Sequence, residues 1–477
     1  MNVPSFPFLG FAILGAILYN LLPAGILRRG LLLLINLIFL STFVHGWQQA
    51  LPYAGFLLTG FLGTRLLVTH GPRWRLPVLI ALILFAFFWL KRYTFIPAAI
   101  NLPFLYTTVG LSYVFFRVLH LIIDTGQGQI KERISPLDYV NYTLNFTALV
   151  SGPIQFYQDY REQERNGEKV DLFAAGWAAE RIIVGMFKVA IVSTLLMKWQ
   201  QAAIADLAVA DAFSMRVVYC ALIGAIYPLF LYANFSGYTD FVIGCARLFR
   251  IRLPENFYHP FIAENFIAFW SRWHITLSNW LKVYVYTPFL MTAMRRIPST
   301  AIEPYLAVAA YFVTFFLVGA WHGQTSMFLF FGVLQGGGVA MNKLYQVAMV
   351  KRLSRKGYKK LSAEPWYRVL CRALTFTWFA FTLLWFWSTW GQLGQFIQQA
   401  GWPAVACGWA LVLLVAMPAL SLLRAVQGPI ETRKVDPAAV PASRYWRTAL
   451  STAMLIILVG ATLLLNGPAP DVVYKTF

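Results

Sequence analysis

Residues 305–323 have the sequence YLAVAAYFVTFFLVGAWHG and decide the class of fold. The run Tyr305–Trp321 contains no charged side chain, and its length approaches the roughly 20 apolar residues that an α-helix needs to cross a bilayer. It ends at His322, which is followed by Gly323. The stretch therefore predicts a membrane-spanning helix with a single imidazole at its end.

The composition extends this prediction to the whole chain. The 477 residues are 59% hydrophobic and 12% charged, with a formal charge of +20 and a mean hydropathy of +0.61. A typical soluble domain has about 25% charged residues, so this chain has too few to cover a globule. Disordered, fibrous and small disulfide-rich classes are excluded by the same figures, and a soluble nucleic-acid binder would not be this apolar. We expect an all-α polytopic membrane protein.

Hydropathy predicts about twelve transmembrane helices in one integral membrane domain, residues 1–477. The candidate spans are residues 5–26, 31–48, 51–69, 76–92, 103–123, 173–197, 215–233, 303–321, 325–349, 367–391, 402–423 and 446–466. Ile130–Val170 and Asn234–Arg296 are too polar for simple spans. They predict re-entrant or interfacial helices around a central funnel, because irregular backbone at membrane depth must be covered by protein or water. The domain would comprise N-terminal helices (1–123), a core with the re-entrant segments (124–350) and C-terminal helices (351–477).

Basic residues orient the chain, because cytoplasmic loops are enriched in Lys and Arg. Arg28 and Arg29 follow the first helix, which predicts an inner first loop and an outer N-terminus. An arrangement of twelve helices then places two basic loops inside and the C-terminus outside. Lys91 and Arg92 are exceptions to the rule, because they fall outside in this arrangement. The two basic loops contain Lys351, Arg352, Arg355, Lys356, Lys359 and Lys360, and then Arg424, Arg433, Lys434, Arg444 and Arg447.

Some histidines have a structural explanation. Interfacial anchoring accounts for the two at predicted helix ends, His45 and His70. His120 follows Tyr113 and Arg117 and precedes Asp124 at spacings of three and four, which places all four on one helix face. Such a face must point into the protein. It predicts an internal ion-pair network, with a role in lining the substrate path as the alternative.

His322 and His274 are the candidates for chemistry. A histidine within a membrane segment is a functional candidate by default, and its ordinary pKa suits general base catalysis. Small residues flank His322, and the following glycines predict close helix packing or a narrow passage: Gly332, Gly336, Gly337 and Gly338. His274 ends the string FWSRWH, residues 269–274. An interfacial aromatic belt, with Arg272 anchored in headgroups, is the alternative there.

A lone carboxylate in the same region also needs an explanation. Asp240 lies in an apolar stretch, and either Arg247 or Arg272 is expected to pair with it. The chain contains no Walker A string, Rossmann fingerprint, HExxH, GxSxG, paired-carboxylate cluster or zinc-ligand spacing. ATP hydrolysis, nicotinamide chemistry and zinc proteolysis are therefore unsupported, and no metal is expected.

Several strings, taken together and in order, resemble the membrane-bound O-acyltransferase family, in particular its bacterial branch for alginate O-acetylation and teichoic-acid D-alanylation. These strings are FSGYTD (235–240), RLF (247–249), PENF (254–257), FWSRWHITLS (269–278) and WHG (321–323). The resemblance is dense from Asn234 to Gly338 and weaker at residues 135–139 and 151–154. Near the C-terminus it is confined to hydropathy.

The resemblance implies a ring of helices around a thinned centre, with funnels from both faces meeting near His322. It implies that His322 is the catalytic histidine and that His274 fills the second catalytic position. Supporting or substrate-binding roles are implied for Asn234, Tyr238, Asp240, Arg272, Trp273, Ser278, Asn279 and Trp321. His274 or Asn279 would steady the developing oxyanion or orient the donor.

The implied function is transfer of an acyl group, with acetyl preferred, from a cytoplasmic thioester to a hydroxyl of a cell-envelope polysaccharide, or to a partner protein that modifies it. The expected donor is acetyl-CoA or the phosphopantetheine of an acyl carrier protein, with no bound cofactor. Basic segments at 247–252 and 351–360 would attract this anionic donor, although membrane topology alone also explains them. The expected location is the bacterial inner membrane, with a periplasmic or extracellular partner.

Other functions stay open at this point. D-alanyl transfer to teichoic acid from a carrier protein is the alternative within the family. A polytopic transporter or flippase without acyl chemistry is the alternative of another class, although the inverted repeats common in transporters are not evident. A non-catalytic scaffold for an envelope complex is the third.

Overall fold

The computed structural model describes residues 1–68, 71–432 and 441–465. Three residues used in the sequence analysis, His70, Arg433 and Lys434, lie outside the described residues, as does the side chain of Arg444. The described part is helical, with 78% helix and no strand, which confirms the all-α class. A single isolated pairing of extended residues joins Phe257 and Trp273 among the described residues.

Most of the described helices follow one another with short connections, and the longer ones precede Leu111 and Phe266. In chain order, the α-helices are Phe6–Leu21, Ile26–Ser41, Trp47–Val68, Arg75–Leu90, Leu111–Gly126, Pro136–Thr143, Tyr157–Asn166, Leu172–Phe187, Thr194–Ala208, Phe213–Leu248, Phe266–Trp270, Ile275–Leu281, Thr287–Arg296, Glu303–His322, Ser326–Leu361, Pro365–Thr382, Leu384–Trp387, Trp390–Ala400, Trp402–Thr432 and Pro441–Leu465. Short 3₁₀ segments lie at Ala98–Ile100 and Pro260–Ile262, and π-helices at Lys188–Ser193 and Lys282–Tyr286.

Seven helices of the described part are long and apolar enough to cross a membrane. They are Trp47–Val68, Leu172–Ala208, Phe213–Leu248, Glu303–His322, Pro365–Trp387, Trp402–Gln427 and Tyr445–Leu463. Two shorter apolar helices, Phe6–Leu21 and Arg75–Leu90, also coincide with candidate spans from the sequence. The polytopic membrane class is therefore confirmed, and the total of twelve spans stays a prediction.

The helix boundary expected at residue 233 is wrong. Residues from Asn234 onward continue the preceding span as one helix, Phe213–Leu248, which is about 54 Å long at 1.5 Å per residue. Its polar residues do not end the helix because they find partners inside the protein. The hydroxyl of Thr239, for example, donates to the carbonyl oxygen of Phe235 at 2.9 Å.

Beyond Leu248 the polar stretch leaves the helix and forms extended segments and short helical turns before a longer helical run begins at Ile275. The helix Phe266–Trp270 is short, whereas Ile275–Leu281 continues directly through the π-helix Lys282–Tyr286 into Thr287–Arg296. The upstream polar stretch is similar, with short helices Pro136–Thr143 and Tyr157–Asn166. How deeply either stretch enters a bilayer stays a prediction.

The segment Lys351–Lys360 was expected to be a loop, but it is helical on both sides of Ser354. It forms the end of the helix Ser326–Leu361, which is interrupted at Ser354 by a left-handed φ of 64°. Lys and Arg are good helix formers, and positive side chains near a helix C-terminus interact favourably with its dipole. The basic residues therefore lie on both sides of a break between a long helix and the short helix that follows it.

The chain packs as two compact units. The first comprises the described residues of 1–191, 234–254 and 450–477, and the second those of 192–233 and 255–449. The three-part division expected from the sequence stays a prediction. Each unit is described below by itself.

The first unit has a helix buried along almost its whole length, Leu111–Gly126. Arg117 donates to the carbonyl oxygens of Thr143 at 2.9 Å and Ala148 at 2.8 Å. The Nε2 atom of His120 accepts from the backbone N–H of Tyr157 at 2.9 Å, and its Nδ1 atom lies 3.5 Å from Asp124. The expected internal polar network is thus present, but Arg117 is bound by carbonyls of the turn that follows Pro136–Thr143 rather than by a carboxylate.

Candidate active site

His274 begins the short helix Ile275–Leu281 in the second unit. Its backbone is left-handed, with φ 43° and ψ 52°, and its side chain is 1% exposed. The helix is capped from a distance by Asn256, which is also fully buried. The carbonyl oxygen of Asn256 accepts from the N–H of Ile275 at 3.0 Å, and its Oδ1 accepts from the N–H and hydroxyl of Thr276 at 3.2 and 2.6 Å.

His322 lies at the end of the helix Glu303–His322, as the sequence predicts. Its side chain is 2% exposed. Its imidazole makes edge contacts with Phe386 and Phe331, at centroid distances of 5.1 and 5.9 Å. The helix stops because Gly323 adopts an extended backbone, so that His322 occupies the last turn within apolar walls.

Trp321 joins the two histidines. The centroid of its ring lies 4.7 Å from that of His322 and 6.4 Å from that of His274. The Trp321 side chain is itself buried. The second unit therefore places both predicted catalytic histidines against one indole, although 47 residues separate the two histidines in the chain.

Glycines allow the helix of His322 to pack closely on the next helix. A Cβ atom at Gly319 would lie 2.3 Å from the Cα of Gly332, and one at Gly336 would lie 2.6 Å from the carbonyl oxygen of Phe312. A Cβ at Gly337, by contrast, would meet nothing within 4 Å. Of the two roles expected for these glycines, Gly332 and Gly336 serve close packing.

The other predicted residues of the second unit surround His274 in sequence. Trp273 is buried and stacks on Phe269 at 5.6 Å between centroids. Arg272 lies over the ring of Tyr258, 5.6 Å from its centroid. The hydroxyl of Ser278 donates to the carbonyl oxygen of Trp273 at 3.4 Å. These contacts fix the backbone on both sides of His274. Asn279 differs from its neighbours because it is exposed.

The first unit holds the remaining three predicted residues. Asn234 is fully buried. The hydroxyl of Tyr238 accepts from the N–H of Ser151 at 3.2 Å, which ties the helix Phe213–Leu248 to the predicted turn at 151–153. The roles of these residues toward a substrate stay predictions.

The expected partners of Asp240 are wrong. Its Oδ1 accepts from Nε of Arg181 at 3.0 Å, and its Oδ2 lies 2.6 Å from Nζ of Lys188. Arg247 pairs with Glu168 at 3.1 Å instead, and Arg272 makes the Tyr258 contact described above. Both partners of Asp240 come from the helix Leu172–Phe187 and the π-helix after it, so the sequence around Asp240 gives no sign of them.

A cavity of about 490 Å³ also lies in the second unit. Phe266, Met341, Leu374 and Trp378 are among its apolar lining residues, and Arg368 is among the polar ones. The predicted site residues do not line it. Its walls are completed by Glu264, Asn265, Gly338, Asn342, Tyr345, Tyr358, Ser362, Tyr367, Leu370, Cys371 and Thr375.

Sequence reasoning missed some residues that build the site. Phe386 contacts His322 from 64 positions away, and no sequence signal connects the two. Asn256 lies within the string PENF, for which the sequence analysis gave a family resemblance but no role for this residue. Its spacing from His274 carries no helix or strand periodicity, so its capping role could not be found from the sequence.

Comparison with known proteins defines the family of this chain. A sequence model of the membrane-bound O-acyltransferase family matches residues 126–386, more than half of the chain. The chain therefore belongs to the membrane-bound O-acyltransferase family, as the resemblance of its strings predicts. The matched range includes both candidate histidines.

Individual relatives are bacterial. The chain is 28% identical to the teichoic acid D-alanyltransferase of Bacillus subtilis over 282 residues, which is 56% of this chain and 65% of the relative. It is 30% identical to the probable alginate O-acetylase AlgI of Pseudomonas syringae over 249 residues, 50% of this chain and 44% of the relative. It is 29% identical to the peptidoglycan O-acetyltransferase of Helicobacter pylori over 217 residues, 45% of this chain and 39% of the relative. The chain thus spans less than two thirds of each of these relatives.

Proposed function

We propose that the protein transfers an acyl group, preferentially acetyl, from a thioester to a hydroxyl of a cell-envelope polysaccharide or to a partner that modifies it, with His322 as general base. The observation that carries the proposal is the contact of Trp321 with both His322 and His274, within the range that the family model matches.

Acyl transfer requires the acceptor hydroxyl to lose its proton as it attacks. The hydroxyl oxygen bonds to the thioester carbonyl carbon, the carbon–sulfur bond breaks, and the proton passes through His322 to the departing thiolate. General base catalysis of this kind contributes roughly 100- to 10,000-fold. The burial of His322 among Phe331 and Phe386 suits this step, because exclusion of water prevents hydrolysis of the thioester.

His274 has a supporting role in this proposal. Its buried ring contacts the same indole as His322, and it would steady the developing oxyanion or orient the donor. Preorganised donors at an oxyanion commonly contribute a factor of about 10²–10³. Asn279 is the other candidate for this role, and its exposure makes it the weaker one.

The donor would be acetyl-CoA or an acyl carrier protein at the cytoplasmic face. The basic end of the helix Ser326–Leu361 provides positive charge that attracts an anionic donor. We infer an inner-membrane location with both termini outside from the distribution of basic residues. A periplasmic or extracellular protein that completes the modification of the polymer is the expected partner.

D-alanyl transfer is the second candidate function, because one relative is named for that activity and aligns over a larger share of this chain than the acetylases do. Acetyl and D-alanyl esters differ in mass. Mass spectrometry of envelope polymers, from cells with and without the protein, therefore identifies the acyl group and the acceptor together.

The decisive variant is His322→Ala. We expect it to enter the membrane at the wild-type level while acyl esters on the polymer are lost. His45→Ala is the matched control, because His45 is exposed and lies between helices, and it should leave the esters unchanged. Full modification by the His322→Ala variant would show that His322 is not the base. If the polymer carries equal amounts of acyl ester with both variants, but the His322→Ala cells no longer transport a solute, a transporter would be favoured.

A further inference from the structure

We propose that Asn256 is a positioning residue that fixes the imidazole of His274. This inference rests on the proposed function, since it concerns how one of the two histidines is held. It gives a role to a residue for which the sequence analysis predicted none, and it follows from the local backbone around His274.

The backbone of His274 is in an unfavourable region. A left-handed φ of 43° places the Cβ of a non-glycine residue near its own carbonyl oxygen. Such a conformation persists only where the surroundings impose it. A residue at the start of a helix normally caps it with its own side chain, but the side chain of His274 makes no such bond. The ring is therefore free of the capping role, and another residue must supply it.

Asn256 supplies that cap. Its main-chain oxygen accepts from Ile275, and its side-chain oxygen accepts from both donors of Thr276. The assignment of the amide oxygen follows from chemistry, because the backbone N–H of Thr276 can only donate. The two residues that follow His274 are thus held by one fully buried side chain and its own carbonyl.

The residues before His274 are held by the same extended segment. Phe257 pairs with Trp273, and the N–H of Tyr258 donates to the carbonyl oxygen of Arg272 at 2.9 Å. Asn256 lies next in this register. The backbone of His274 is therefore confined on both sides by segment 256–258.

The amide nitrogen of Asn256 supports this role. Its Nδ2 atom is buried and has no hydrogen-bond partner among the residues that the structure describes. A buried donor without a partner is unfavourable. An apolar residue of the same size would avoid that penalty. We therefore attribute the amide side chain at position 256 to the helix cap that its oxygen provides.

Activity provides the first test, measured as the initial rate at which labelled acetate fed to cells enters envelope polysaccharide. We expect Asn256→Ala to lower this rate about 10- to 100-fold, the effect of misplacing a group by about 1 Å. The double variant of Asn256→Ala with His274→Ala should be no slower than His274→Ala alone. Asn256→Asp keeps an oxygen at a helix N-terminus, where negative charge is favoured, and should recover most of the rate.

The position of His274 provides a second test that does not depend on activity. Diethyl pyrocarbonate modifies accessible imidazoles, and peptide mass spectrometry of the purified full chain locates the product. His274 should resist modification in the wild type and react in Asn256→Ala, while exposed His45 reacts in both. Thr389→Ala is the matched control, because Thr389 caps the helix Trp390–Ala400 in the same unit with a reciprocal capping box. It should change neither the rate nor the reactivity of His274.

The outcomes separate this inference from the proposed function. An active His322→Ala variant overturns the proposed function, while the reactivity of His274 still decides the role of Asn256. The inference on Asn256 is overturned if His274 stays protected in Asn256→Ala, if the losses from Asn256→Ala and His274→Ala multiply, or if Thr389→Ala exposes His274 equally. Should Asn256→Ala fail to fold, Thr276→Val removes one of the two bonds to Oδ1 and should raise the reactivity of His274 more than Thr389→Ala does.

Discussion

The indole of Trp321 and the imidazole of His322 lie in contact, with their ring centroids 4.7 Å apart and their planes tilted by 53°. The same indole meets His274 from another side, with an interplanar angle of 68°. One buried aromatic ring is thus in contact with both histidines. We therefore expect a change of this ring to affect both histidines of the second unit.

Replacement of Trp321 tests this relationship. We expect Trp321→Ala to lower acyl transfer by about 10- to 100-fold, because both imidazoles lose the surface that orients them. It should also reduce the free energy of unfolding by about 3–5 kcal/mol, the usual effect of removing a buried tryptophan. Acyl-ester content and the thermal unfolding midpoint in detergent measure the two effects.

Two further variants control this experiment. Trp321→Phe retains an aromatic surface and should keep more of the activity than Trp321→Ala. Trp402→Ala removes a tryptophan that is 69% exposed, and it should alter neither measurement. Activity near the wild-type level in a folded Trp321→Ala protein would contradict a role for this ring in orienting the histidines.

Close packing at Gly319 provides a second prediction. Gly319→Ala would place a methyl group 2.3 Å from the Cα of Gly332, so the two helices must separate. Overpacking of this kind destabilises by about 1–3 kcal/mol, and it displaces His322, three residues along the same helix. We expect a lower unfolding midpoint together with lower acyl-ester content.

Gly337→Ala is the matched control for this packing. Gly337 lies in the facing helix, and a Cβ atom there meets nothing within 4 Å. Alanine is the better helix former by about 1 kcal/mol, so this variant should be neutral or more stable. Equal losses from Gly319→Ala and Gly337→Ala would show that close packing at Gly319 does not set the position of His322.

Local signals predicted the long helices well. Apolar runs near 51–69, 303–321 and 402–423 correspond to the observed helices Trp47–Val68, Glu303–His322 and Trp402–Thr432. Hydropathy suffices there because an unbroken apolar run has one stable state in a bilayer, a helix with all its backbone groups paired. The position of His322 at a helix end follows from the same signal.

Polar segments were harder to predict because their structure depends on remote partners. The helix that contains Asp240 was expected to end before Asn234, since its polar residues resemble an interfacial segment. Arg181 and Lys188, more than 50 residues away, neutralise Asp240 and allow the helix to continue. The left-handed backbone at His274 depends likewise on Asn256. Neither pairing has a periodicity that a single sequence reveals.

Arg117 provides a third prediction. It is 2% exposed and donates to the carbonyl oxygens of Thr143 and Ala148. Arg117→Ala would leave these buried acceptors unpaired, at about 1–3 kcal/mol each. We expect a large fall in the unfolding midpoint. Arg92→Ala is the control, since Arg92 also donates to two carbonyl oxygens but is exposed. Equal stability of the two variants would contradict the importance of burial.

Asp240 joins two cations in the first unit, and its environment differs from that of a second carboxylate with the same kind of partners. The side chains of Asp240, Arg181 and Lys188 are 16%, 18% and 29% exposed. Glu168 also pairs with two cations, Arg247 and Arg252, but its side chain is 61% exposed. Hydrogen bonds from Arg247 and then Arg252 hold the pKa of Glu168 below its usual range. Any stabilisation from this pairing is therefore present above the usual carboxyl pKa and is lost only as the pH falls through the lowered value.

The comparison of these two carboxylates is the fourth prediction. Asp240→Asn removes the carboxylate that both Arg181 and Lys188 contact, and bonds to charged groups contribute about 1.5–3 kcal/mol. We expect a clearly lower unfolding midpoint at neutral pH. Glu168→Gln should leave the midpoint unchanged at neutral pH, because solvent screens an exposed pair. Adding Lys188→Met to Asp240→Asn removes one of the two cations that faced the carboxylate and should restore part of the stability. A midpoint that falls further in this double variant would show that Asp240 and Lys188 do not stabilise the helix as a pair.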